Sequence, residues 1–323
     1  MDNDWLDKLR EYFFSPKLEE VEVNKAIELK FGHIPNRLFK YRQYGEFALE
    51  NLKNNTLWCD SASGFNDPYD TSIHFKYSQE TLDKQLIKSI KEQGANGKYQ
   101  FLSHAELEML ADTDDPSRVL AEIAEQKTNG RLPAEKFHSF LQQNTLRESE
   151  EMNLEFNRVL KLGYKMCSLS QRNDSMLMWS HYSGEHTGFV MEYDFSALSN
   201  ENILTRMLWP MIYDDQLFDA SEFFEEGLSG GMSNNMLAII ASIHKAKDWS
   251  YEREWRLIIP KGPNEPSLNF PCPKVKSIYI GALASESDEH NLIEIGKSKN
   301  IPVYKMHLSQ RDFKMSPNLL YEP

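Results

Sequence analysis

Residues 79 to 163 carry helical spacing and no strand signal, yet strand-like segments stand both before and after them. Any sheet must therefore be assembled from two separated pieces of chain, with a helical stretch inserted between them. Within that stretch Leu82, Leu86, Ile87 and Ile90 keep one helical face, and Gly94 is the expected stop. Ser103 and Glu106 have the spacing of a capping box, and Asp115-Pro116 reads as an N-cap followed by proline in the first turn. Pro133 is expected to start a further helix, and a last one runs from about Arg147 to Gly163, giving four or five in all.

Before the insertion, Arg37–Arg42 and Thr56–Ser61 read as strands, with a short helix over Glu46–Lys53 between them. Period two places Lys40 and Arg42 on one face of the first strand and Phe39 and Tyr41 on the other. After the insertion, Lys165–Ser170, Gly188–Phe195, Leu208–Tyr213, Glu254–Pro260, Val275–Ile280 and Ile301–Leu308 read as strands. Helices are expected over Asn234–Lys247 and Asp288–Lys299. Strands outnumber clean strand–helix–strand alternations, so the expected class is α+β with a mixed, mainly antiparallel sheet. The division is an N-terminal helical arm (1–35), a core (36–75 and 164–323) and a helical insertion (76–163). In the arm, Trp5, Leu6, Leu9 and Phe13 share a helical face that Pro16 ends.

A 40% hydrophobic and 12% aromatic chain can bury a substantial core. Its formal charge of -13 argues against broad nonspecific binding to nucleic acid or anionic membrane, which depends on Lys and Arg neutralising phosphate. Cys59, Cys167 and Cys272 are odd in number and far apart, so neither a disulfide framework nor a zinc knuckle is indicated. The start, Met-Asp-Asn-Asp-Trp, lacks a signal-peptide core, and no apolar run approaches the roughly 20 residues needed to span a bilayer. The expected setting is the reducing cytoplasm.

Three segments concentrate groups able to do chemistry. Asp174–Asp194 packs His181, His186, Trp179 and Tyr182 into a short helix, a turn and a strand. Its histidines are five apart across a glycine turn, not the i, i+4 pair that holds zinc on a helix, so acid–base or hydrogen-bonding roles are expected and no metal. The plainer reading makes His181 a packed helix residue and His186 a turn residue. In Tyr251–Arg256, a strand would put Glu252, Glu254 and Arg256 on one face, the carboxylates roughly 7 Å apart. Such a pair can raise one carboxyl's pKa or clamp a ligand; the plainer reading is a solvated edge strand. The loop Asn66-Asp67-Pro68-Tyr69-Asp70 offers an amide and carboxylates beside Ser61 and Ser63, or it is simply a hydrogen-bonded turn. Phosphate-binding glycine loops and the GxSxG elbow are absent.

In order along the chain, Phe-Lys-Tyr-Arg (39–42), the segment 57–70, Cys-Ser-Leu-Ser (167–170), Met-Trp-Ser-His-Tyr (178–182) with His186 and Gly188, Trp-Ser-Tyr-Glu-Arg-Glu-Trp-Arg (249–256) and Ile-Tyr-Ile-Gly (278–281) resemble the bacterial family called domain of unknown function 2971. That resemblance covers about residues 36 to 308 and implies no particular reaction. A more remote similarity is to mono-ADP-ribosyltransferases, which carry an Arg or His on an early strand, a Ser on a second and a Glu, often Glu-x-Glu, on a later one. It implies an ADP-ribosyltransferase-like fold with NAD as co-substrate and no metal. Arg42 would hold the diphosphate, and Ser61 or Ser63 would support the nicotinamide ribose. Glu254 would face the developing oxocarbenium ion, Glu252 would orient the acceptor, and Tyr69 or Tyr182 would stack on nicotinamide. The His181/Tyr182/His186 cluster departs from that pattern, and the Ser segment is not a clean Ser-Thr-Ser.

The leading expectation is an NAD-consuming transferase or glycohydrolase acting as a bacterial toxin or antiviral effector on a protein or nucleic-acid acceptor. Glu254, Glu252 and His181 form its catalytic set. Lys40, Tyr41 and Arg42 join Ser61 and Ser63, the loop residues Asn66, Asp67 and Asp70, and Tyr182, His186 and Arg256 in holding the small nucleotide. Two alternatives stay open: a hydrolase or nuclease using His181, His186, Asp67 and Glu254, and a non-catalytic module that senses a nucleotide or partner protein. Each enzyme reading requires Arg42, the 66–70 loop, His181 and Glu254 to meet in one pocket.

Overall fold

A computed structural model describes residues 4–76, 81–83, 86–87, 102–228, 232 and 234–323. The expected helical residue Ile90 and stop at Gly94 lie outside them. In chain order the strands are β1 (Leu38–Arg42), β2 (Thr56–Cys59), β3 (Ile73–His74), β4 (Tyr164–Ser170), β5 (Phe189–Tyr193), β6 (Leu208–Pro210), β7 (Ile212–Asp214), β8 (Phe218–Asp219), β9 (His244–Ala246), β10 (Glu254–Pro260), β11 (Leu268–Pro271), β12 (Ser277–Ile280), β13 (Val303–Leu308) and β14 (Met315–Tyr321). Eight form the main sheet in the order β14-β13-β12-β5-β1-β4-β10-β6. Its neighbours are antiparallel except β12 and β13, so the chain is α+β with a mixed, mainly antiparallel sheet.

The piece of chain before the insertion supplies β1, which lies between β5 and β4 from the piece after it. Alternation along β1 then sorts side chains to two layers. Leu38 joins Met191, Leu169, Leu257 and Ile278 in one core, while Phe39 and Tyr41 join Trp179, Val190 and Tyr279 in another. The arm folds as α1 (Asp4–Phe13) and α2 (Val23–Phe31), and its Leu9 and Phe13 pack on Trp209 and Met211. Following β1 comes α3 (Glu46–Asn54), whose C-cap Asn55 takes the left-handed conformation, at φ 51°.

In the insertion, α4 (His104–Ala111) has the full capping box of Ser103 and Glu106. Next, α5 (Pro116–Lys127) is capped by the Asp115 side chain on the Arg118 N–H. The two expected helices from Pro133 and Arg147 are one 30-residue helix, α6 (Ala134–Gly163), because no proline or glycine interrupts residues 134 to 162. Its second half is bound to the core. Asn153 and Asn157 pair with the backbone of Phe75 and Ile73, and Phe156 and Leu160 pack beside those residues.

After β4 comes α7 (Met176–Tyr182), capped by Ser175 rather than Asp174. Further on are α8 (Ile203–Met207), α9 (Ser221–Leu228), α10 (Leu237–Ile243) and α11 (Glu286–Lys299). The helix expected to run to Lys247 ends at Ile243, and the chain continues as β9, pairing in parallel with β7. A final strand beyond Leu308, β14, pairs with β13 and had no signal beforehand, since its -Met-Ser-Pro-Asn-Leu-Leu-Tyr- sequence does not alternate. Among the described residues, no helix is long and apolar enough to cross a membrane.

Candidate functional site

The start of β10 decides the site. Glu252 is not on a strand, as its spacing suggested; it closes a 3-10 turn over Lys247–Glu252. Arg253 follows in the left-handed region, φ 44° and ψ 54°, and β10 begins only at Glu254. Nor is β10 a solvated edge, because β4 and β6 flank it and Glu254 and Arg256 are buried.

Three acidic and two basic side chains are shared out beneath the surface. Lys245 on β9 places its ammonium 2.6 Å from Glu252 Oε2 and 3.0 Å from Glu254 Oε2. The Arg256 Nε donates to Glu254 Oε1 at 2.8 Å, and its Nη1 and Nη2 donate to Asp70 Oδ1 and Oδ2 at 2.7 and 2.9 Å. The Ser242 carbonyl accepts a further Nη1 bond. Four of the five guanidinium N–H groups are thereby used. Tyr182 donates its hydroxyl to Glu252 Oε1 at 2.7 Å, and Ser170 Oγ donates to the Glu252 carbonyl.

The two carboxylates of the Glu-x-Glu pattern differ in kind. Burial pushes the Glu254 carboxyl up, but Arg256 and Lys245 outweigh it and hold the group well below the usual carboxylate range. For Glu252, burial also pushes upward, Lys245 opposes and the nearby Glu254 adds, leaving the carboxyl raised. Partner charge sets the two apart: Glu254 faces two cations, Glu252 one cation and a neutral phenol. In the same way, the carboxylates overcome the burial of Lys245 and keep its ammonium charged. Tyr182 is held neutral by burial and by Glu252.

Above this floor lies a cavity of about 390 Å³. Phe39, Tyr41 and Phe65 give it aromatic walls, Met178, His181 and Tyr182 of α7 close one side, and Glu252, Glu254, Lys245 and Arg256 form the base. Asn66 reaches Tyr182 Oη at 3.4 Å. Of the residues singled out in the sequence, Lys40, Tyr41, Asn66, Asp70, His181, Tyr182, Glu252, Glu254 and Arg256 therefore meet in one place.

Six others do not line that cavity. Arg42 donates to Asn51 Oδ1 at 3.2 Å, so the proposed phosphate ligand of the early strand is turned elsewhere, and of the four segments required to meet only the 66–70 loop, His181 and Glu254 do so. Alternation puts Arg42 on the face of Leu38, opposite to Phe39 and Tyr41; Lys40 shares that face but lines the cavity, so it is the bond to Asn51 that holds Arg42 off it. Ser61 and Ser63 bond each other at 2.7 Å across a 3-10 turn. Asp67 is buried, and its Oδ1 accepts the Tyr69 N–H as an ordinary loop tie. His186 sits in the turn after α7 at φ 68°, where burial lowers its pKa and its carbonyl accepts the Leu283 N–H. Tyr69, named for stacking, is exposed and away from the cavity.

Lys245 was missed because its helical neighbourhood hid it; a parallel β7–β9 pair has no local signature. Phe65, Ser168 and Met178 were missed as pocket-forming residues for a simpler reason: each reads as loop, strand or core filler. Lys40 donates to the Ser168 carbonyl at 2.9 Å. Among the described residues, no group of three or more His, Cys, Asp or Glu is arranged to hold a metal ion.

A family model described as "Protein of unknown function (DUF2971)" matches residues 178–257. That span carries His181, Tyr182, Lys245, Glu252, Glu254 and Arg256, so the matched region and the base of the cavity coincide. No curated protein and no solved structure matches the chain.

Proposed function

We propose that the chain cleaves the N-glycosidic bond of a nucleotide, with NAD as the first substrate to test, by transfer or hydrolysis. One observation carries this reading. A carboxyl raised by burial, Glu252, stands in an aromatic-walled cavity, bonded on one oxygen by a phenol and on the other by an ammonium. A group of this kind suits the bond to be broken. As the leaving base departs, positive charge grows on the ribose, and a fixed carboxylate in a water-poor site stabilises that charge. The flat walls suit a base, and the volume lies near the lower end of the range for small-molecule sites, ~300–1000 Å³.

The roles are redistributed relative to the sequence expectation. Glu254 has each oxygen engaged by a cation, Lys245 or Arg256, whereas Glu252 meets one cation and a neutral phenol, so Glu254 acts as a positioning residue that holds Lys245 beside Glu252. Tyr182 orients the Glu252 carboxylate, and His181 at the rim is the group available to exchange a proton with the acceptor or water. Of the Arg, Ser and Glu-x-Glu motifs behind the remote likeness to ADP-ribosyltransferases, only the Glu-x-Glu pair reaches the cavity, and it supports the same chemistry by analogy alone.

The test is NAD loss and label transfer from labelled NAD in the presence of cell lysate. Glu252→Gln should lower turnover at least ~100-fold. No NAD loss by the folded wild-type chain sinks the reading. A second reading draws on the complete pairing of Glu254: a base this fully satisfied also suits a pocket that senses a nucleotide without cleaving it. Ligand-induced thermal stabilisation without turnover would favour that alternative.

A further inference from the structure

We propose that the groove beside the cavity, edged by Arg37, Arg172 and Arg253, holds the phosphate groups of the nucleotide whose base and ribose enter the cavity. This rests on the nucleotide reading of the site. The groove has a volume of about 710 Å³, and Phe39 lines both it and the cavity, so the two adjoin at that residue. A dinucleotide does not fit inside about 390 Å³, and the cations at the cavity base are already committed to carboxylates. Phosphates therefore have to be met outside it. Arg42, the residue the sequence offered for them, is bonded to Asn51 and lines neither space.

Three guanidinium groups gathered in one groove run against a chain with a net charge of -13. Two of them have acidic partners: Arg172 Nε bonds Asp174 at 2.9 Å, and Arg37 bonds Glu192 at 2.8 and 3.1 Å. Both remain partly open to solvent. Arg253 is different. Among the described residues its guanidinium has no side-chain partner, and the residue is exposed. Its backbone is fixed in the left-handed region, with its N–H on the Ser250 carbonyl and its carbonyl accepting the Gln171 N–H. The consequence is a split in a run of three residues. Glu252 and Glu254 line the cavity while Arg253, between them, lines the groove. One short segment thus presents a carboxylate to the ribose and a fork-shaped cation to the phosphates. Guanidinium geometry matches phosphate oxygens two at a time.

Inorganic pyrophosphate is the probe, titrated by calorimetry into the whole chain at low ionic strength. Wild type should bind it, and binding should weaken as salt rises. Arg253→Gly removes the guanidinium while suiting the positive φ, and should weaken binding at least tenfold. Arg172→Ala should weaken it similarly, and Arg253→Lys should recover only part, since charge without the fork is restored. Glu252→Gln should leave pyrophosphate affinity within twofold. Absence of binding by folded wild type, or unchanged affinity in both Arg253→Gly and Arg172→Ala, overturns the groove assignment. NAD cleavage with unchanged pyrophosphate affinity in the arginine variants would overturn the groove alone. Pyrophosphate binding lost in those variants, with no NAD cleavage by wild type, would keep the groove and sink the catalytic reading.

Discussion

Arg256 grips Asp70 with both arms of its guanidinium, at 2.7 and 2.9 Å, and both side chains are buried. The pair ties the loop before the insertion to β10 after it. Removing one partner leaves a charge in a medium that solvates it poorly. Asp70→Ala should therefore cost about 3–5 kcal/mol. The exposed Arg172–Asp174 pair has water as an alternative, so Asp174→Ala should cost no more than ~1 kcal/mol. Urea unfolding at neutral pH checks both, as a shift in midpoint at unchanged slope. Equal losses at the two positions would contradict the assignment of Asp70–Arg256 as a structural tie.

Glu252 has to be ionised to face a growing positive charge, and its carboxyl is raised above the ordinary 4.5. Activity should accordingly fall as pH drops, with the acid limb above pH 4.5. The Tyr182 hydroxyl bond favours the ionised form. Tyr182→Phe removes that bond and should move the limb to higher pH without abolishing turnover. The rate of NAD loss between pH 4 and 8 gives the result. A limb at or below 4.5, or one that Tyr182→Phe leaves in place, argues against Glu252 as the ionising group.

Much of the frame was legible because periodicity and capping are local. The Ser103–Glu106 box, the Asp115-Pro116 start and the alternation in β10 each follow from residues within one turn or a few strand positions. Long-range pairing was not legible in this way. Lys245 reaches the carboxylates only because β9 pairs with β7, and Arg42 is held off the cavity by its bond to Asn51 of α3. The 3-10 turn that takes Glu252 off the strand escaped as well. A left-handed arginine carries no sequence mark of the kind glycine or asparagine provides.

His244 gives an acid sensitivity separate from the cavity. It is buried against Phe218 and Phe14, and its Nδ1 bonds the Ile240 carbonyl. Burial lowers its pKa from 6.5 to about 4; the Ile240 bond opposes this and Arg10 adds to it, while Asp214 favours the charged form. The unfolded chain takes up the proton near 6.5 and the folded chain only near 4. Between those values the unfolded state binds more protons, so stability falls as pH falls, by at most ~1.4 kcal/mol per pH unit. Unfolding free energies at pH 6.5 and 4.5 should drop more steeply in wild type than in His244→Phe, which cannot titrate. Parallel drops would show that the imidazole does not carry this dependence.

The turn after α7 depends on two glycines for space. A Cβ on Gly281 would lie 2.1 Å from the His186 carbonyl oxygen, and one on Gly188 would lie 2.2 Å from the Arg42 carbonyl oxygen. Both obstacles are backbone atoms held by pairing: the His186 carbonyl accepts the Leu283 N–H at 3.0 Å, and Arg42 pairs with Phe189 across β1 and β5. They cannot rotate aside as a side-chain end does, so Gly281→Ala and Gly188→Ala should each cost about 3 kcal/mol. Gly262→Ala, with open space around it, should stay within ~0.5 kcal/mol. The consequence reaches the cavity because this turn anchors the helix that carries Tyr182. Displacing it moves the phenol off Glu252, which raises that carboxyl further. In whatever fraction of Gly188→Ala remains folded, the acid limb of NAD loss should therefore shift upward, as in Tyr182→Phe. His186→Ala should shift neither the limb nor turnover by more than about twofold, since the imidazole lies outside the cavity. A His186→Ala variant that loses turnover like Glu252→Gln would restore the histidine to the site it was expected to join as a nucleotide-holding residue.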